Sequence, residues 1–96
     1  MLDKILKNIS DNYGDVFMLQ IHGFDDAVIG YEEDSMRLIY SVTSCIEILI
    51  QQGLSFTESM EHFEINVKGS FTGEKAPIFL IKAVKIALEN SKHENN

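Results

Sequence analysis

Glu58 and His62 are the residues whose types and spacing come nearest to acid–base or metal chemistry. They lie four positions apart, so their side chains would share one face of a helix. A histidine beside a carboxylate can transfer a proton or bind a metal ion. Either site needs a third group, which the sequence does not identify. We therefore favour an exposed ion pair and expect no catalytic residue and no metal ligand.

Five further carboxylates form two clusters, Asp25-Asp26 and Glu32-Glu33-Asp34. Calcium and magnesium ions need several oxygen ligands that converge on one point. The segment between the clusters is typical of a strand, which would hold them roughly 20 Å apart. One ion therefore cannot use both clusters, and we interpret them as a solvated acidic rim. If this rim contacts a partner, the predicted binding residues are Asp25, Asp26, Glu32, Glu33 and Asp34.

Cys45 is the single cysteine, so it cannot form an internal disulfide or a cysteine-based zinc site. It lies beside Ile46 and Leu49 on a predicted apolar stripe, and we expect it to be a buried packing residue. One unpaired cysteine and the lack of a long apolar segment at the start of the sequence are typical of a reducing, cytoplasmic setting.

The segment from Gly69 to Lys75 resembles a phosphate-binding loop only in part. Its lysine does not directly follow the second glycine, no Ser or Thr follows the lysine, and no strand comes before the loop. The two glycines suit a helix stop and a tight turn. A ligand-binding role stays open as an alternative, with these candidate residues: Gly69, Ser70, Thr72, Gly73 and Lys75.

The net charge of −7 is unevenly distributed along the chain. Residues 1–64 hold twelve acidic and three basic side chains, whereas residues 65–96 hold five lysines and three glutamates. Phosphates and anionic lipids attract clustered cations, so we expect no nucleic-acid binding and no membrane binding. A protein with a basic surface is the partner that this charge favours. The alternative is that the charge only keeps the chain soluble.

Hydrophobic periodicity predicts an α+β fold in a single domain, residues 1–96. Apolar residues recur at i, i+3, i+4 and i+7 over 2–12, which predicts an N-terminal helix that Gly14 ends. Three β-favouring segments joined by short turns follow, which predicts a three-stranded antiparallel meander. The predicted strands are 16–22, 27–32 and 36–41.

From about residue 41 the apolar period changes from 2 to 3.6, which predicts a helical hairpin over 46–67 on one face of the sheet. Ser41, Thr43 or Ser44 could cap the first helix, and capping boxes fit both Ser44-x-x-Glu47 and Ser55-x-x-Glu58. The residues predicted to form the apolar stripes of the two helices are Cys45, Ile46, Leu49, Ile50, Met60, Phe63 and Val67, and Val42 could extend the first stripe.

The end of the chain fits two structures. A helix could begin at Pro77 and run to residue 90, because proline suits the first helical turn and the apolar period holds over that span. Alternatively, residues 78–81 form a short buried strand. We favour the helix and expect residues 91–96 to be a frayed tail. The apolar runs of the chain are far too short to span a membrane.

Several strings in a fixed order carry a resemblance to a known family. They are residues 23–30 (GFDDAVIG), 38–40 (LIY), 45–49 (CIEIL) and 63–67 (FEINV), followed by Gly69, Gly73-Glu74 and 77–79 (PIF). Together they resemble a family of short proteins encoded by tailed bacteriophages, over about residues 15–80. The resemblance implies a phage origin and the cytoplasm of a host cell. It implies no established reaction, so no catalytic residue is carried over.

We therefore expect a small acidic interaction protein without a cofactor or enzymatic activity, which binds and modulates a host protein with a basic surface. A small-ligand or nucleotide binder that uses residues 69–75 is the alternative. A hydrolase that uses Glu58 and His62 ranks last. We also expect a homo-oligomer, because a short three-stranded sheet leaves unpaired edges.

Overall fold

A computed structural model describes residues 1–81, which form an α+β fold with three α-helices and a three-stranded sheet. The rest of the predicted C-terminal helix, residues 82–90, and the predicted tail, residues 91–96, lie outside the described residues. The elements are, in chain order, α1 Leu2–Tyr13, a 3-10 turn Asp25–Ala27, β1 Val28–Glu32, β2 Arg37–Ser41, α2 Val42–Gln51, α3 Phe56–His62, a π-helical turn Phe63–Val67, a 3-10 turn Lys68–Ser70 and β3 Ile78–Leu80.

The sheet has the strand order β1-β2-β3 and is mixed. β1 and β2 pair antiparallel, with Tyr31 opposite Leu38, and β2 and β3 pair parallel, with Tyr40 opposite Phe79. The hairpin made by the second and third predicted strands is thus confirmed. The third strand of the sheet comes from the far end of the described chain, so the prediction of a fully antiparallel meander is wrong.

The strand predicted over 16–22 is wrong as well. Alternation would place Phe17 and Ile21 on the same face, yet 75% of Phe17 and only 4% of Ile21 is exposed. The Ile21 N–H donates to the Tyr40 hydroxyl over 2.9 Å, so a side chain binds this segment where a neighbouring strand was expected. Residues 21–27 then wind through consecutive turns, which replace the hairpin that a meander needs.

The N-terminal helix is confirmed as α1. Leu2 and Ile9 are buried, while Ile5 and Leu6 are partly buried against the core, as the predicted stripe requires. The helix ends at Gly14, where the backbone has a φ of 77°. This left-handed conformation costs a glycine little, because it has no Cβ.

β2 leads directly into α2 without a loop. Ser41 is the last residue of β2, and its Oγ accepts a hydrogen bond from the Ser44 N–H over 3.2 Å, which caps α2. The predicted capping box at Ser44 and Glu47 is therefore wrong, because the helix already begins at Val42. The joint fixes the direction of α2 relative to the sheet.

The capping box at the start of α3 is confirmed. The Glu58 N–H donates to the Ser55 Oγ over 3.1 Å, and the Ser55 N–H donates to a Glu58 carboxylate oxygen over 2.9 Å. α3 packs against α2, as the predicted hairpin requires. Beyond α3 the π-helical turn keeps Phe63 and Val67 buried.

The helix predicted to begin at Pro77 is wrong for residues 78–80, which form β3, the strand alternative. The Phe79 ring packs edge-on against Phe63, with ring centroids 5.4 Å apart, and its centroid lies 6.2 Å from that of Tyr40. These long-range contacts and the pairing with β2 outweigh the local helical period.

One hydrophobic core joins the described elements. It contains Leu38 and Tyr40 of β2, Cys45 and Leu49 of α2, and Phe63 of the π-helical turn. Among residues 1–81, no helix has both the length and the apolar content that crossing a bilayer would require.

Substitution of Phe79, the central residue of β3, tests whether this parallel strand packs against the core. Phe79→Ala should lower the free energy of unfolding by about 2 kcal/mol, less than for a fully buried phenylalanine because Phe79 is only partly buried. Leu80→Ala, at a side chain that is 48% exposed, should cost less than about 1 kcal/mol. Urea unfolding of both variants measures the difference, and equal losses would contradict the position of Phe79 in the core.

Candidate functional site

An apolar groove lies between α2 and α3 and reaches the end of β3. It encloses about 430 Å³. Apart from Thr43 and Glu47, its lining is hydrophobic. We use the name "apolar groove" for the surface lined by Val42, Ile46, Ile50, Phe56, Met60 and Ile81.

Four of the six side chains that line the apolar groove are exposed, although all four are large and hydrophobic. Phe56 is 63% exposed, Ile81 is 55% exposed, and Ile50 and Met60 are each 40% exposed. Single exposed hydrophobic residues are common on protein surfaces, but neighbouring ones that line one concave surface mark sites of interaction. The groove is therefore a part of the described surface that suits the binding of another polypeptide segment.

The groove arises because apolar residues occupy more of each helix surface than the core covers. Val42, Ile46 and Ile50 recur every four residues on α2, and Phe56 and Met60 do so on α3. On α2 the middle residue of the row, Ile46, is itself buried in the core, so the groove borders the core at this point. The capping box at Ser55 makes Phe56 the first residue of α3, and Phe56 lines the groove from there.

This groove was not predicted from the sequence. Ile50 and Met60 were expected in the buried stripes, whereas the structure leaves both at the groove surface. A signal was present on α2, where Val42, Ile46 and Ile50 form a second apolar row beside Cys45 and Leu49, although one row is enough to pack a helix on a core. Phe56 received no role in the prediction, although it shares a row with Met60.

The acidic clusters lie at the two ends of β1, as predicted, and the structure does not bring them together. Asp25 and Asp26 belong to the 3-10 turn before β1, whereas Glu32 ends the strand and the other two lie in the following turn. Asp25, Asp26, Glu33 and Asp34 are exposed. A partner-binding role for these five residues stays a prediction.

Two of these carboxylates already have partners inside the protein. Glu32 accepts hydrogen bonds from the Asp34 N–H over 2.8 Å, from the Ser35 N–H over 2.9 Å and from the Ser35 hydroxyl. The hydroxyl bond of Ser35 and then the backbone bonds lower the pKa of Glu32. Glu33 accepts a hydrogen bond from the Tyr13 hydroxyl, which, as the largest cause, raises the pKa of Tyr13 to about 12. Glu32 thus closes the β1–β2 turn, and Glu33 ties that turn to α1.

Glu58 and His62 do not form the predicted ion pair. The Glu58 carboxylate turns back to cap α3, and the bonds with the Ser55 backbone and hydroxyl lower its pKa. The Nδ1 of His62 lies 3.3 Å from the Asn66 side-chain nitrogen. Both residues line an open concavity of about 300 Å³ that also includes Ile65. Within residues 1–81, no three His, Cys, Asp or Glu side chains come together in a way that could hold a metal ion.

Cys45 is fully buried, as predicted, in the core between α2 and the sheet. Burial raises the pKa of its thiol to about 11. The thiol is therefore protonated at neutral pH, while a nucleophilic cysteine needs a lowered pKa and access to substrate. Its role in the described structure is packing.

The loop around residues 69–75 uses its polar side chains within the protein. The Ser70 hydroxyl donates to the Asn66 carbonyl over 2.7 Å, and the Lys75 amine donates to the Ser35 carbonyl over 3.4 Å. Gly69 packs so closely that a Cβ there would lie 3.0 Å from a backbone oxygen, and Gly73 has a φ of 99°. Thr72 is exposed in the same loop. The ligand-binding alternative stays a prediction.

The structural role of Glu32 gives stability a defined pH dependence. Folding lowers the pKa of Glu32 below its ordinary value of 4.5. The contribution of Glu32 to the free energy of unfolding is therefore complete above pH 4.5, and it is lost as the pH falls through the lower pKa of the folded state. Glu32→Gln should therefore lower stability at neutral pH, and the gap to the wild type should close in acid. Thermal unfolding across this pH range measures it.

Asp34→Asn is the matched control, because the Asp34 side chain accepts no hydrogen bond from the described residues. It should unfold like the wild type at neutral pH. A gap between Glu32→Gln and the wild type that stays constant from neutral to acid pH would contradict the assigned role of the Glu32 carboxylate.

Comparisons of the chain with protein-family models, with curated proteins and with solved structures find no match. The resemblance to short proteins of tailed bacteriophages therefore stays a prediction from sequence.

Proposed function

We propose that this chain is a non-enzymatic interaction protein whose contact surface is the apolar groove. The observation that carries the proposal is the exposure of Phe56, Ile50, Met60 and Ile81 along one concave surface. Burial of apolar area contributes about 25 cal/mol per Å², so covering these side chains gives a favourable free energy of association. A partner that lays an apolar helix face into the groove would use a common mode of peptide recognition.

The negative charge of the described residues indicates which kind of partner segment the groove would attract. Residues 1–81 hold thirteen acidic and five basic side chains, and Glu47 lies at the groove itself. A segment with lysines or arginines beside its apolar face would be attracted to this surface, and electrostatic attraction speeds association at low salt. The exposed Asp25, Asp26 and Asp34 add to that field. We infer a partner segment that is amphipathic and basic.

The resemblance to bacteriophage proteins leads us to propose that the partner is a protein of the host cell. A phage protein that acts in the cytoplasm of its host would bind and modulate a host protein that presents such a basic amphipathic segment. A hydrolytic role for Glu58 and His62 gains no support from the geometry, because Glu58 is engaged as a helix cap.

The proposal can be tested with a designed probe. A fluorescein-labelled peptide with leucines at i, i+3, i+4 and i+7 and lysines elsewhere, here called the striped peptide, should bind the 96-residue chain in an anisotropy titration. Phe56→Ser should weaken binding by about 10-fold, or about 1.4 kcal/mol, because it removes the largest exposed side chain of the groove. Raising the salt concentration should also weaken binding.

Two controls distinguish binding in the groove from non-specific binding of the peptide elsewhere on the protein. Phe17→Ser removes a phenylalanine that is 75% exposed outside the groove and should leave the affinity unchanged. A peptide of the same composition with its leucine stripe scrambled should bind weakly. Equal affinities for the two peptides, or equal losses in both serine variants, would contradict the groove as the contact surface.

A further inference from the structure

Residues 16–20 form an extended segment that no described strand pairs with. The backbone makes no helix, turn or bend from Val16 to Ile21, and no residue of this stretch has a positive φ. Within residues 1–81, the segment belongs to none of the three strands, and its backbone forms no hydrogen bond with the backbone of another residue. Such unpaired N–H and C=O groups are the template that a strand from another chain uses.

The sequence of this segment favours a strand. Residues 16–20 (VFMLQ) include a β-branched and an aromatic residue, and they contain no charge, no glycine and no proline. Short segments of this composition pair with other chains when their backbone is accessible. The segment therefore has the sequence of a strand and, within the described residues, lacks the neighbour that a strand needs.

Met18 and Phe17 show that the segment has one held face and one open face. Met18 is partly buried and packs against the core, whereas Phe17 is 75% exposed. Phe17 also lines a concavity of about 490 Å³ between residues 14–18 and α1, where Ile9 is buried. The protein thus fixes the position of the segment and leaves its largest apolar side chain in water.

We propose that residues 16–20 pair with the same residues of a second copy of this chain as antiparallel strands. In a register centred on Met18, each Phe17 lies opposite a Leu19 of the other copy. The two Phe17 rings are then diagonal neighbours on the open face, within reach of each other. Pairing satisfies the backbone groups of both segments and removes both rings from water.

Charge favours a second copy as the occupant of this segment. The chain has a net charge of −7, so two copies repel each other over most of their surfaces. Residues 16–21 carry no charge. In the proposed register, Asp15 of each copy falls opposite Ile21 of the other, so the two Asp15 carboxylates do not oppose each other. A basic partner finds no carboxylate within this segment, whereas an identical segment is complementary to it.

The size of the contact sets its strength. Five paired residues on each side bury much less than the roughly 800 Å² per partner of a standard interface, so the dimer is weak, with a dissociation constant on the order of 10 to 100 µM. The contact leaves the apolar groove open. The proposed function and this dimer therefore use separate surfaces, and each can fail without the other.

Sedimentation equilibrium of the complete chain tests the proposal over a concentration range of about 1 to 1,000 µM. The mass should rise from one chain towards two. Phe17→Glu places two carboxylates on diagonal positions of the shared face and should weaken the dimer by about 10-fold or more. Ile65→Glu adds the same charge at a side chain that is 71% exposed elsewhere and should dimerise like the wild type. A wild type that stays monomeric, or equal behaviour of the two glutamate variants, would overturn the proposal.

Salt and a groove variant separate this dimer from partner binding in the groove. Because both copies carry the same sign of charge, raising the salt concentration should strengthen the dimer, whereas it weakens binding of the striped peptide. Phe56→Ser, in the groove, should dimerise like the wild type. A dimer that is lost in Phe56→Ser and kept in Phe17→Glu would place the contact in the groove and reject the pairing of residues 16–20.

Cysteine cross-linking tests the register. Met18 lies opposite itself across the two-fold axis, where antiparallel Cα atoms are about 4.5 to 5.5 Å apart, within reach of a disulfide. Met18→Cys should therefore form a covalent dimer under mild oxidation, which intact mass detects as two chains less two hydrogens. Cys45 can stay in place because it is fully buried.

Gln20→Cys is the matched control for the register. Gln20 is more exposed than Met18. In this register, however, the two copies of residue 20 are offset by four residues, or about 14 Å along the strands. Gln20→Cys should therefore stay largely reduced under the same conditions. A covalent dimer that forms as fast from Gln20→Cys as from Met18→Cys would contradict the antiparallel pairing.

Discussion

The structure depends on the joint at Ser41, where one residue ends β2, caps α2 and pairs with β3. Ser41 is fully buried, its hydroxyl accepts the Ser44 N–H, and its backbone lies in register with Leu80. Because the strand passes into the helix without a loop, α2 cannot move independently of the sheet. The apolar groove follows from this constraint, since β3 delivers Ile81 to the same point at which α2 starts.

The polar and apolar side chains have separate uses in this fold. Glu32, Glu33 and Glu58 act within the structure, where they close a turn, tie that turn to α1 and cap α3. These hydrogen bonds give structural roles to three carboxylates that the sequence alone offered as candidate catalytic or binding residues. Along α2 and α3 the fold also leaves apolar surface without an internal use, and this leads to binding rather than catalysis as the inferred function.

The sequence predicted the parts of the fold that depend on local contacts. The stripe of α1, the β1–β2 hairpin and the capping box at Ser55 each rest on residues within a few positions of one another. The segment 16–22 and β3 depend on distant groups instead: the Tyr40 hydroxyl and the Phe63 ring, which no local period reveals. The groove was missed for a related reason, because periodicity shows that a helix has an apolar side but not how much of that side the core covers.

The most direct test of the account is a nuclear magnetic resonance titration of the methyl-labelled 96-residue chain with the striped peptide. If the apolar groove is the contact surface, the methyl resonances of Ile46, Ile50 and Met60 should shift, while those of Ile5 and Ile9 in α1 should stay unchanged. Shifts confined to Ile29 and Ile39 in the hairpin, or spread evenly over all these methyl groups, would contradict the apolar groove as the contact surface.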